Sequence, residues 1–357
     1  MSTAICFVVD PNYAPYALAQ AIQVIKLVPD IPVHVFIEGR PETFTLPVPK
    51  KISVHWNELS PYVPDGLPES SKWSKIVYCR MFLPQVLGAD RIIYFDADIA
   101  IVSEIDALLN TPFGNKGLFA AHDSGLVGPI APGLRISSQK WLRQIGLRNS
   151  RYFNSGVLVM NSAAWREIDF SSALVKYFSD YGEYARMWDQ DFLNFKFQGR
   201  WGELSPCYNY QLSLFGFGFE SIFDPAVVHF TDGTKPWHQG FTWSDKIVSY
   251  FDRKLGEAGL ENLAPAQRRA EIQFKTKFRL LAYKLGLRCG RASRQKERWT
   301  TLRAQYLEFY KSTIASNLFV DRVKNAPAIA KPFADGTFDG RWYRAPFPEQ
   351  FLLKFEK

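Results

Sequence analysis

Short apolar runs and longer helix-like segments alternate along the first 255 residues of the chain. The apolar runs are rich in β-branched and aromatic residues, as buried strands are. The segments between them place apolar residues three to four positions apart, which is typical of amphipathic helices. We predict strands at 4–9, 31–37, 52–56, 92–95, 117–121, 156–160 and 227–230, and helices at 14–27, 72–86, 104–109 and from 187 onward. This order predicts an α/β fold with a mostly parallel, Rossmann-like sheet flanked by helices.

The alternation ends near residue 255, so we predict one α/β domain over 1–255 and a helical, basic C-terminal extension over 256–357. Residues 264–311 hold 13 Lys and Arg against 3 Glu, although the whole chain carries a net charge of +8. Within 271–285 the apolar residues lie roughly on one side of a helix, with cations around them. We favour a helix on an anionic membrane surface, and the alternative is a helix packed on the domain with a solvated basic face. No nucleic-acid-binding motif accompanies the charge, which makes nucleic acid the poorer interpretation.

The cysteines and the hydropathy indicate a cytoplasmic protein. The alternative is a cytoplasmic protein attached peripherally to the inner face of the cell membrane. Cys6, Cys79, Cys207 and Cys289 are far apart and form no C-x-x-C pair, which argues against a zinc site and against a disulfide scaffold. Reduced thiols are therefore the simpler interpretation. The sequence contains no signal-peptide pattern and no run of 18 apolar residues.

Two aspartates follow the predicted strand 92–95 directly. Side chains on an extended chain alternate faces, so Asp96 and Asp98 point the same way and Ala97 the other. Two carboxylates at the C-terminal end of a buried strand suit Mg²⁺ or Mn²⁺ that carries a diphosphate, and open α/β sheets bind ligands at that end. The alternative is that these aspartates only end the strand and cap the following turn.

Six short stretches occur in a fixed order along the chain. They are Val8-Val-Asp-Pro-Asn-Tyr13, Tyr78-Cys-Arg80, Tyr94-Phe-Asp-Ala-Asp98, Tyr152-Phe-Asn-Ser-Gly-Val157, Asp189-Gln-Asp191, and His229 with Lys235-Pro-Trp237. Each is weak alone, but in this order and spacing, over residues 4 to about 245, they resemble glycosyltransferase family 8. That family includes bacterial lipopolysaccharide galactosyl- and glucosyltransferases and glycogenin. The resemblance implies a GT-A fold, a UDP-sugar donor, Mn²⁺ (with Mg²⁺ as the alternative) and retention of the anomeric configuration.

The resemblance assigns one end of a site to the metal and the nucleotide. The metal ligands it implies are Asp96, Asp98 and His229. The nucleotide-sugar contacts it implies are Asp10, Asn12, Tyr13, Arg80, Ala97, Gly233 and Lys235. Lys235 supplies a cation for the departing diphosphate, and Arg80 either holds sugar hydroxyls or orients Asp96. The structural alternatives are a simple turn at Asp10-Pro11, an ordinary surface ion pair for Arg80 and a packed His229.

The opposite end of the site is assigned to the donor sugar, with Asp123, Asn154, Gln190 and Asp191 as its residues. In the resemblance, Asp123 and Asp191 bind sugar hydroxyls and Gln190 lies nearest the anomeric carbon. Because Gln is a poor nucleophile, an amide there favours same-face substitution, and double displacement remains the alternative. Asp189 has a second interpretation as the N-cap of its helix.

The sequence therefore predicts a retaining transferase that moves galactose or glucose from a UDP-sugar to a glycan acceptor. The acceptor is expected to be lipopolysaccharide or another lipid-linked cell-surface glycan. Two alternatives stay open. A metal-dependent nucleotidyltransferase would also use paired aspartates and a diphosphate, but it would release pyrophosphate. A catalytically degenerate sugar- or lipid-surface-binding protein would release nothing.

Overall fold

The computed structural model describes most of the chain. It covers residues 1–39, 48–70, 74–127, 139–149, 151–231, 233–238, 241, 243–262, 299–310, 337–338, 343–344 and 347–356. The strands are β1 (Thr3–Val9), β2 (Val33–Ile37), β3 (Ile52–Trp56), β4 (Arg91–Phe95), β5 (Ile99–Ile101), β6 (Leu118–His122), β7 (Phe153–Asn161), β8 (Trp201–Glu203), β9 (Tyr210–Gln211), β10 (Val227–His229), β11 (Thr337–Phe338) and β12 (Tyr343–Arg344). The helices are α1 (Ala14–Leu27), α2 (Ile76–Cys79), α3 (Leu83–Val86), α4 (Asp106–Asn110), α5 (Ser124–Val127), α6 (139–144), α7 (Ser162–Arg166), α8 (Phe170–Tyr181), α9 (Asp189–Lys196), α10 (Glu220–Phe223), α11 (Asp245–Ala258), α12 (299–310) and α13 (Glu349–Leu353).

Seven strands form the central sheet in the order β3-β2-β1-β4-β7-β6-β8. Strands β1 to β4 run parallel, β7 is antiparallel to both of its neighbours, and β8 is parallel to β6. Helices cover both faces, so side chains of successive residues in β1 enter different cores: Ile5, Phe7 and Val9 on one face, and Ala4, Cys6 and Val8 on the other. The predicted mostly parallel α/β sheet is confirmed.

A second, three-stranded sheet has the order β5-β10-β9. Strand β10 runs antiparallel to β5, and its last residue, His229, pairs with Ile99. Ile99 directly follows Asp98, which itself follows the end of β4 by three residues. The small sheet thus brings a histidine from late in the chain next to the aspartates of the central strand.

The prediction of one continuous helix over 72–86 is wrong. Within the described residues it consists of α2, a 3₁₀ turn over Arg80–Phe82, and α3. Pro84 lies at the start of α3 and cannot donate a backbone hydrogen bond to the preceding turn, so the helix is broken there.

Parts of the predicted C-terminal extension pack on the same core as the central sheet. Tyr306 and Tyr310 of α12, with Phe351 and Phe355 at and beyond α13, are buried in the cluster that contains the inner side of α1 and α11. Residues 299–310 thus pack on the domain, whereas the helix predicted over 271–285 lies outside the described residues, so neither alternative for it is tested. The rest of the basic stretch, 264–298 and 311, lies outside the described residues. Among the residues that the structure describes, no helix has the length and hydropathy needed to cross a membrane.

Candidate active site

A cavity of about 510 Å³ opens at the C-terminal ends of β1 and β4. Of the predicted site residues, those that line it are Asp10, Tyr13, Arg80, Asp96, Ala97, Asp98, Asp123, Asn154, Gln190, His229, Gly233 and Lys235. Asn12 and Asp191 are not among the lining residues. Residues that are far apart in the sequence thus converge at the edge of the sheet where α/β folds bind ligands.

The metal-binding candidates come together at one end of this cavity. One ligand atom each from Asp96, Asp98 and His229 lie within 4.8 Å of one another. His229 Nε2 is 3.2 Å from Asp98 Oδ1 and 3.8 Å from Asp96 Oδ2. Two carboxylates and an imidazole are a donor set that suits a divalent cation such as Mn²⁺ or Mg²⁺.

Asn209 fixes the orientation of the His229 ring. The amide oxygen of Asn209 lies 2.9 Å from His229 Nδ1, and because that oxygen can only accept, Nδ1 carries the hydrogen. Nε2 then faces Asp96 and Asp98, and it is the ring nitrogen that would bind a metal ion. This is how metal-bound histidines are usually held. Asn209 is fully buried. It belongs to no recognised motif, so the sequence did not indicate its role.

Basic residues balance the two carboxylates. Lys235 Nζ lies 2.6 Å from Asp98 Oδ2, and Arg80 Nη1 lies 3.0 Å from Asp96 Oδ1, which also accepts from Tyr94 at 2.5 Å. Burial raises the pKa of Asp98, but the charges of Lys235 and His229 outweigh it and hold that pKa well below its usual range. Asp98 is therefore ionised at neutral pH.

Gly156 leaves room for the metal-binding group. A Cβ at this position would lie 2.1 Å from His229 Cε1 and 2.8 Å from Asp96 Oδ2, so any side chain would collide with both. Gly156 belongs to β7, the antiparallel neighbour of β4, and its carbonyl accepts from the Asp96 backbone N–H at 2.8 Å. Gly156 lies within the Tyr152–Val157 motif, but the motif alone assigned it no role. Its position directly after Phe-Asn-Ser was the available signal.

Amide side chains dominate the other end of the cavity. Gln190 Nε2 donates to Asp123 Oδ2 at 2.9 Å, and Gln190 Oε1 accepts from the Ser155 backbone N–H at 3.0 Å. Asn154 Nδ2 contacts both Gln190 Oε1, at 3.2 Å, and Asp123 Oδ2, at 3.4 Å. Asn209 links the two ends, because its Nδ2 donates to Asn154 Oδ1 at 2.9 Å. The side chains of this network are therefore locked by one another.

Asp189 and Asp191 lie on different sides of α9. Asp189 lines the cavity, 3.5 Å from Arg80 Nε, and burial raises its pKa to about 7 although Arg80 opposes the shift. Asp191 is fully buried and accepts from the Tyr152 hydroxyl and from the backbone N–H groups of Arg186 and Met187. Burial raises the pKa of Asp191 to about 6. Residues two apart on a helix differ by about 200°, so only one of this pair can face the cavity.

The start of α9 is held in an unusual conformation. Trp188, rather than Asp189, is the N-cap residue, with φ 41° and ψ −96°. A positive φ is strained for a residue with a side chain, and such strain concentrates at functional sites. The Asp191 carboxylate accepts from the backbone N–H groups of Arg186 and Met187, which lie directly before Trp188. These bonds stabilise the turn at the start of α9. The predicted N-cap alternative for Asp189 is wrong, since Asp189 is the first residue of the helix.

The residues after β1 form a turn, and two tyrosines among them contact Trp237. Asp10 Oδ1 accepts from the backbone N–H groups of Asn12, at 2.8 Å, and Tyr13, at 3.1 Å, as the turn interpretation predicts. Tyr16 stacks on Trp237 with ring centroids 3.8 Å apart, and Tyr13 meets Trp237 edge-on at 6.0 Å. Tyr13 lines the cavity, as does Lys235 at the start of the Lys-Pro-Trp stretch, whereas Tyr16 and Trp237 pack against Tyr13 and are not among the lining residues.

The mostly parallel central sheet, with paired aspartates and a histidine at its strand ends, has the arrangement of the GT-A fold. A crystal structure of the galactosyltransferase LgtC with donor and acceptor sugar analogs has this fold, with a TM-score of 0.60 and 24% identity, over 71% of this chain and 96% of that one. The family description "Glycosyl transferase family 8" matches residues 4–240. The chain belongs to glycosyltransferase family 8, as the sequence predicted.

Two of the relatives with similar sequences are lipopolysaccharide glycosyltransferases. Lipopolysaccharide 1,2-glucosyltransferase of Escherichia coli K12 is 26% identical over 231 residues, which are 60% of this chain and 64% of that protein. Lipopolysaccharide 1,3-galactosyltransferase of Salmonella typhimurium is 26% identical over 200 residues, 52% of this chain and 55% of that protein. The chain spans between about a quarter and two thirds of the length of the curated relatives that it matches.

Proposed function

We propose that the protein is a metal-dependent, retaining hexosyltransferase that uses a UDP-sugar. One observation carries this proposal: the cavity joins an Asp96–Asp98–His229 group at one end to the Gln190 amide network at the other. The first end suits the diphosphate of a nucleotide sugar and the second suits sugar hydroxyls. Their placement within a region that matches glycosyltransferase family 8 supports the same conclusion.

In this proposal the nucleotide lies beside Tyr13. Tyr13 lines the cavity beside Asp10, and rings with polar neighbours are what a uracil base and its ribose need. Asn12 is exposed and does not line the cavity, so its role is restricted to the turn unless the nucleotide extends past Asp10. Gly233 and Ala97 line the cavity nearby and allow close approach of the phosphates to the backbone.

The leaving diphosphate lies at the charged end. A divalent cation held by Asp96, Asp98 and His229 would neutralise the negative charge that develops on the diphosphate as it departs. Lys235 keeps Asp98 ionised and places a second positive charge in the wall of the cavity. Arg80 forms an ion pair with Asp96 at 3.0 Å and also donates to the Ser155 carbonyl at 3.0 Å. Arg80 therefore orients a metal ligand and ties the charged end to β7.

The sugar-binding end favours same-face substitution. Both polar atoms of the Gln190 side chain are engaged, so it offers a fixed dipole and no free nucleophile. The bond from the anomeric carbon to the phosphate oxygen breaks, the acceptor oxygen bonds to that carbon, and the acceptor proton passes to the phosphate oxygen. Asp189 replaces Asp191 as the sugar-hydroxyl contact in our proposal, because Asp191 is buried behind the helix. Asp123 and Asn154 keep the roles expected from the sequence.

The donor hexose is proposed to be glucose or galactose, and the acceptor a lipopolysaccharide-type glycan. These proposals rest on the names of the relatives, a lipopolysaccharide glucosyltransferase and a lipopolysaccharide galactosyltransferase. The test is a screen of UDP-glucose, UDP-galactose and their N-acetyl forms for UDP release, with Mn²⁺, with Mg²⁺ and with EDTA. We expect release of UDP with one hexose and a divalent cation. A nucleotidyltransferase would show no turnover in this screen but would release pyrophosphate when given UTP and a hexose 1-phosphate. No turnover in either assay would favour a degenerate binding protein.

Membrane attachment through residues 264–311 remains part of the proposal, with the inner face of the cell membrane as its place. The support is the excess of 13 Lys and Arg over 3 Glu in that stretch. The test replaces Lys275, Lys277 and Arg279 by Glu and measures co-sedimentation with vesicles containing anionic phosphatidylglycerol. Binding should weaken strongly in the variant. Equal binding by both proteins would leave the stretch with a packing role only.

A further inference from the structure

Helix α12 reaches the sugar-binding side of the cavity from the C-terminal part of the chain. Trp299 Nε1 donates to the carbonyl of Gly216 at 2.7 Å, and Arg303 Nε donates to that of Phe217 at 3.0 Å. Positions 299, 303 and 306 share one side of a helix, and Tyr306 donates its hydroxyl to the carbonyl of Ser124 at 2.9 Å. The helix is thus anchored on the segment after β9 and presents one hydroxyl to the residue that follows Asp123.

Gln211 holds the neighbouring backbone groups of the same segment. Its Nε2 donates to the His122 carbonyl at 2.8 Å, and its Oε1 accepts from the Ser124 backbone N–H at 3.0 Å and the Ser124 hydroxyl at 2.9 Å. Gln211 thus holds the peptide groups on both sides of Asp123, and Tyr306 holds the next one, between Ser124 and Gly125, whose N–H donates to Asp123 Oδ1. Gln211 and Tyr306 are 2% and 4% exposed, so water does not compete for these bonds.

The chain next to β7 holds Asp123 through its backbone N–H, which donates to the Tyr152 carbonyl at 3.0 Å, and side chains hold the peptide groups around it. The pairing of β6 with β7 shifts register between Ala120 and His122, an irregularity that re-aims the chain just before Asp123. The Asp123 carboxylate then receives the Gln190 and Asn154 amides at 2.9 and 3.4 Å. Its direction is consequently set by the side chains that clamp residues 122–124.

We propose that Tyr306 is a positioning residue for the donor sugar, acting through the Ser124 carbonyl on the direction of the Asp123 carboxylate. The inference rests on the proposed function, since Asp123 is a sugar contact only within it. Tyr306 does not line the cavity, so it touches no substrate itself. The extension beyond the family match thereby takes part in the sugar-binding end while the metal-binding end stays independent of it.

The experiment compares Tyr306→Phe with Tyr250→Phe, each of which removes one buried hydroxyl. Tyr250 donates to the Ile101 carbonyl at 3.0 Å and is 1% exposed, so it is matched in burial and in bond type but lies away from Asp123. Three quantities are measured: kcat/KM for the UDP-hexose, the affinity for UDP with Mn²⁺, and hydrogen exchange at the Gly125 amide. That amide donates to Asp123 Oδ1 at 2.9 Å and reports on the carboxylate directly.

We expect Tyr306→Phe to lower kcat/KM about 10-fold, as one lost hydrogen bond would. UDP affinity should stay within about twofold, and exchange at Gly125 should quicken. Tyr250→Phe should change none of the three. The inference is overturned if the two variants have equal kcat/KM, or if Tyr306→Phe weakens UDP binding as much as it lowers kcat/KM.

The proposed function can fail separately. In that case the unmodified protein releases no UDP from any UDP-hexose, and the exchange comparison alone decides the positioning role. Faster exchange at Gly125 in Tyr306→Phe than in Tyr250→Phe supports the role without any turnover. Equal exchange in the two variants refutes it.

Discussion

The two ends of the cavity are built from different chemistry. At the charged end, Asp96, Asp98 and His229 lie close together, and Arg80 and Lys235 form ion pairs with the two carboxylates. At the amide end, Gln190, Asn154 and Asp123 match donors to acceptors within the protein. The carboxylate and imidazole groups of the charged end are ligands for a metal ion, whereas the donors and acceptors of the amide end are matched to one another. The comparison separates binding of the leaving group from orientation of the sugar.

The largest expected effect comes from breaking the charged end. Asp98→Asn keeps the shape but removes a charged metal ligand and leaves Lys235 without its anion. Turnover should fall about 10³-fold, and UDP binding should lose its dependence on Mn²⁺ in calorimetry. Asp65→Asn is the control, since Asp65 forms an exposed ion pair with Lys75 at 2.6 Å. UDP affinity that still responds to Mn²⁺ in Asp98→Asn would refute the metal assignment.

Breaking the amide end should separate turnover from nucleotide binding. Gln190→Ala removes the fixed dipole and leaves the Ser155 N–H and Asp123 without their partner. We expect kcat to fall about 10²-fold, while affinity for UDP and Mn²⁺ stays within about twofold. Steady-state kinetics and calorimetry on the same samples measure both. A parallel loss of UDP affinity would mean that the two ends are not independent.

Gly156 lies where the two ends meet, so adding one methyl group tests the metal-binding geometry. In Gly156→Ala the new Cβ would lie 2.1 Å from His229 Cε1, and the ring must move. Affinity for Mn²⁺ should fall about 10- to 100-fold, and the free energy of unfolding should drop by about 1–3 kcal/mol. Gly88→Ala is the matched control, because a Cβ at Gly88 meets nothing within 4 Å. Unchanged Mn²⁺ affinity in Gly156→Ala would show that His229 is not a ligand.

The smallest expected effect concerns the buried acid between the ends. The pKa of Asp189 is raised to about 7, above that of an unfolded chain, so the folded state binds the extra proton between the two values. Its contribution to stability is full below about pH 4 and is lost as pH rises through about 7. Between pH 5 and pH 8, the free energy of unfolding should therefore fall by about 1–3 kcal/mol more in the unmodified protein than in Asp189→Asn.

Chemical denaturation at both pH values measures this difference. Asp180→Asn serves as the control, because Asp180 is a partly exposed residue paired with Lys176 on α8. It should keep the pH dependence of the unmodified protein. If Asp189→Asn also keeps it, burial does not raise the pKa of Asp189 in the folded protein.

Local sequence patterns were enough to predict most of the fold. The β-branched run 92–95 is buried as β4, and the Ala-rich segment 14–27 is helix α1 with the predicted bounds. Sequence also placed Asp96 and Asp98 in one site, because both follow a strand and neighbours two apart on an extended chain share a face. The helix over 72–86 failed because Pro84 outweighs an apolar pattern that is otherwise helical.

The same spacing has the opposite meaning at Asp189 and Asp191. On α9 the two carboxylates point about 200° apart, so one lines the cavity and the other is buried behind it. The helix was predictable, but the side that faces the cavity was not. That choice depends on how α9 packs against β7, through contacts between distant residues such as Asn194 and Phe153, which are 41 positions apart.

The sequence by itself determined the family, the α/β fold and the identity of the metal-binding candidates, because these depend on local periodicity and on short motifs. Only the tertiary structure decided which groups surround them. Asn209 behind His229, Gly156 beneath it and Tyr306 behind Asp123 lie 20, 73 and 183 positions from the residues they support. No local pattern marks such residues, because their roles arise from the packing of strands and helices that are distant in the chain.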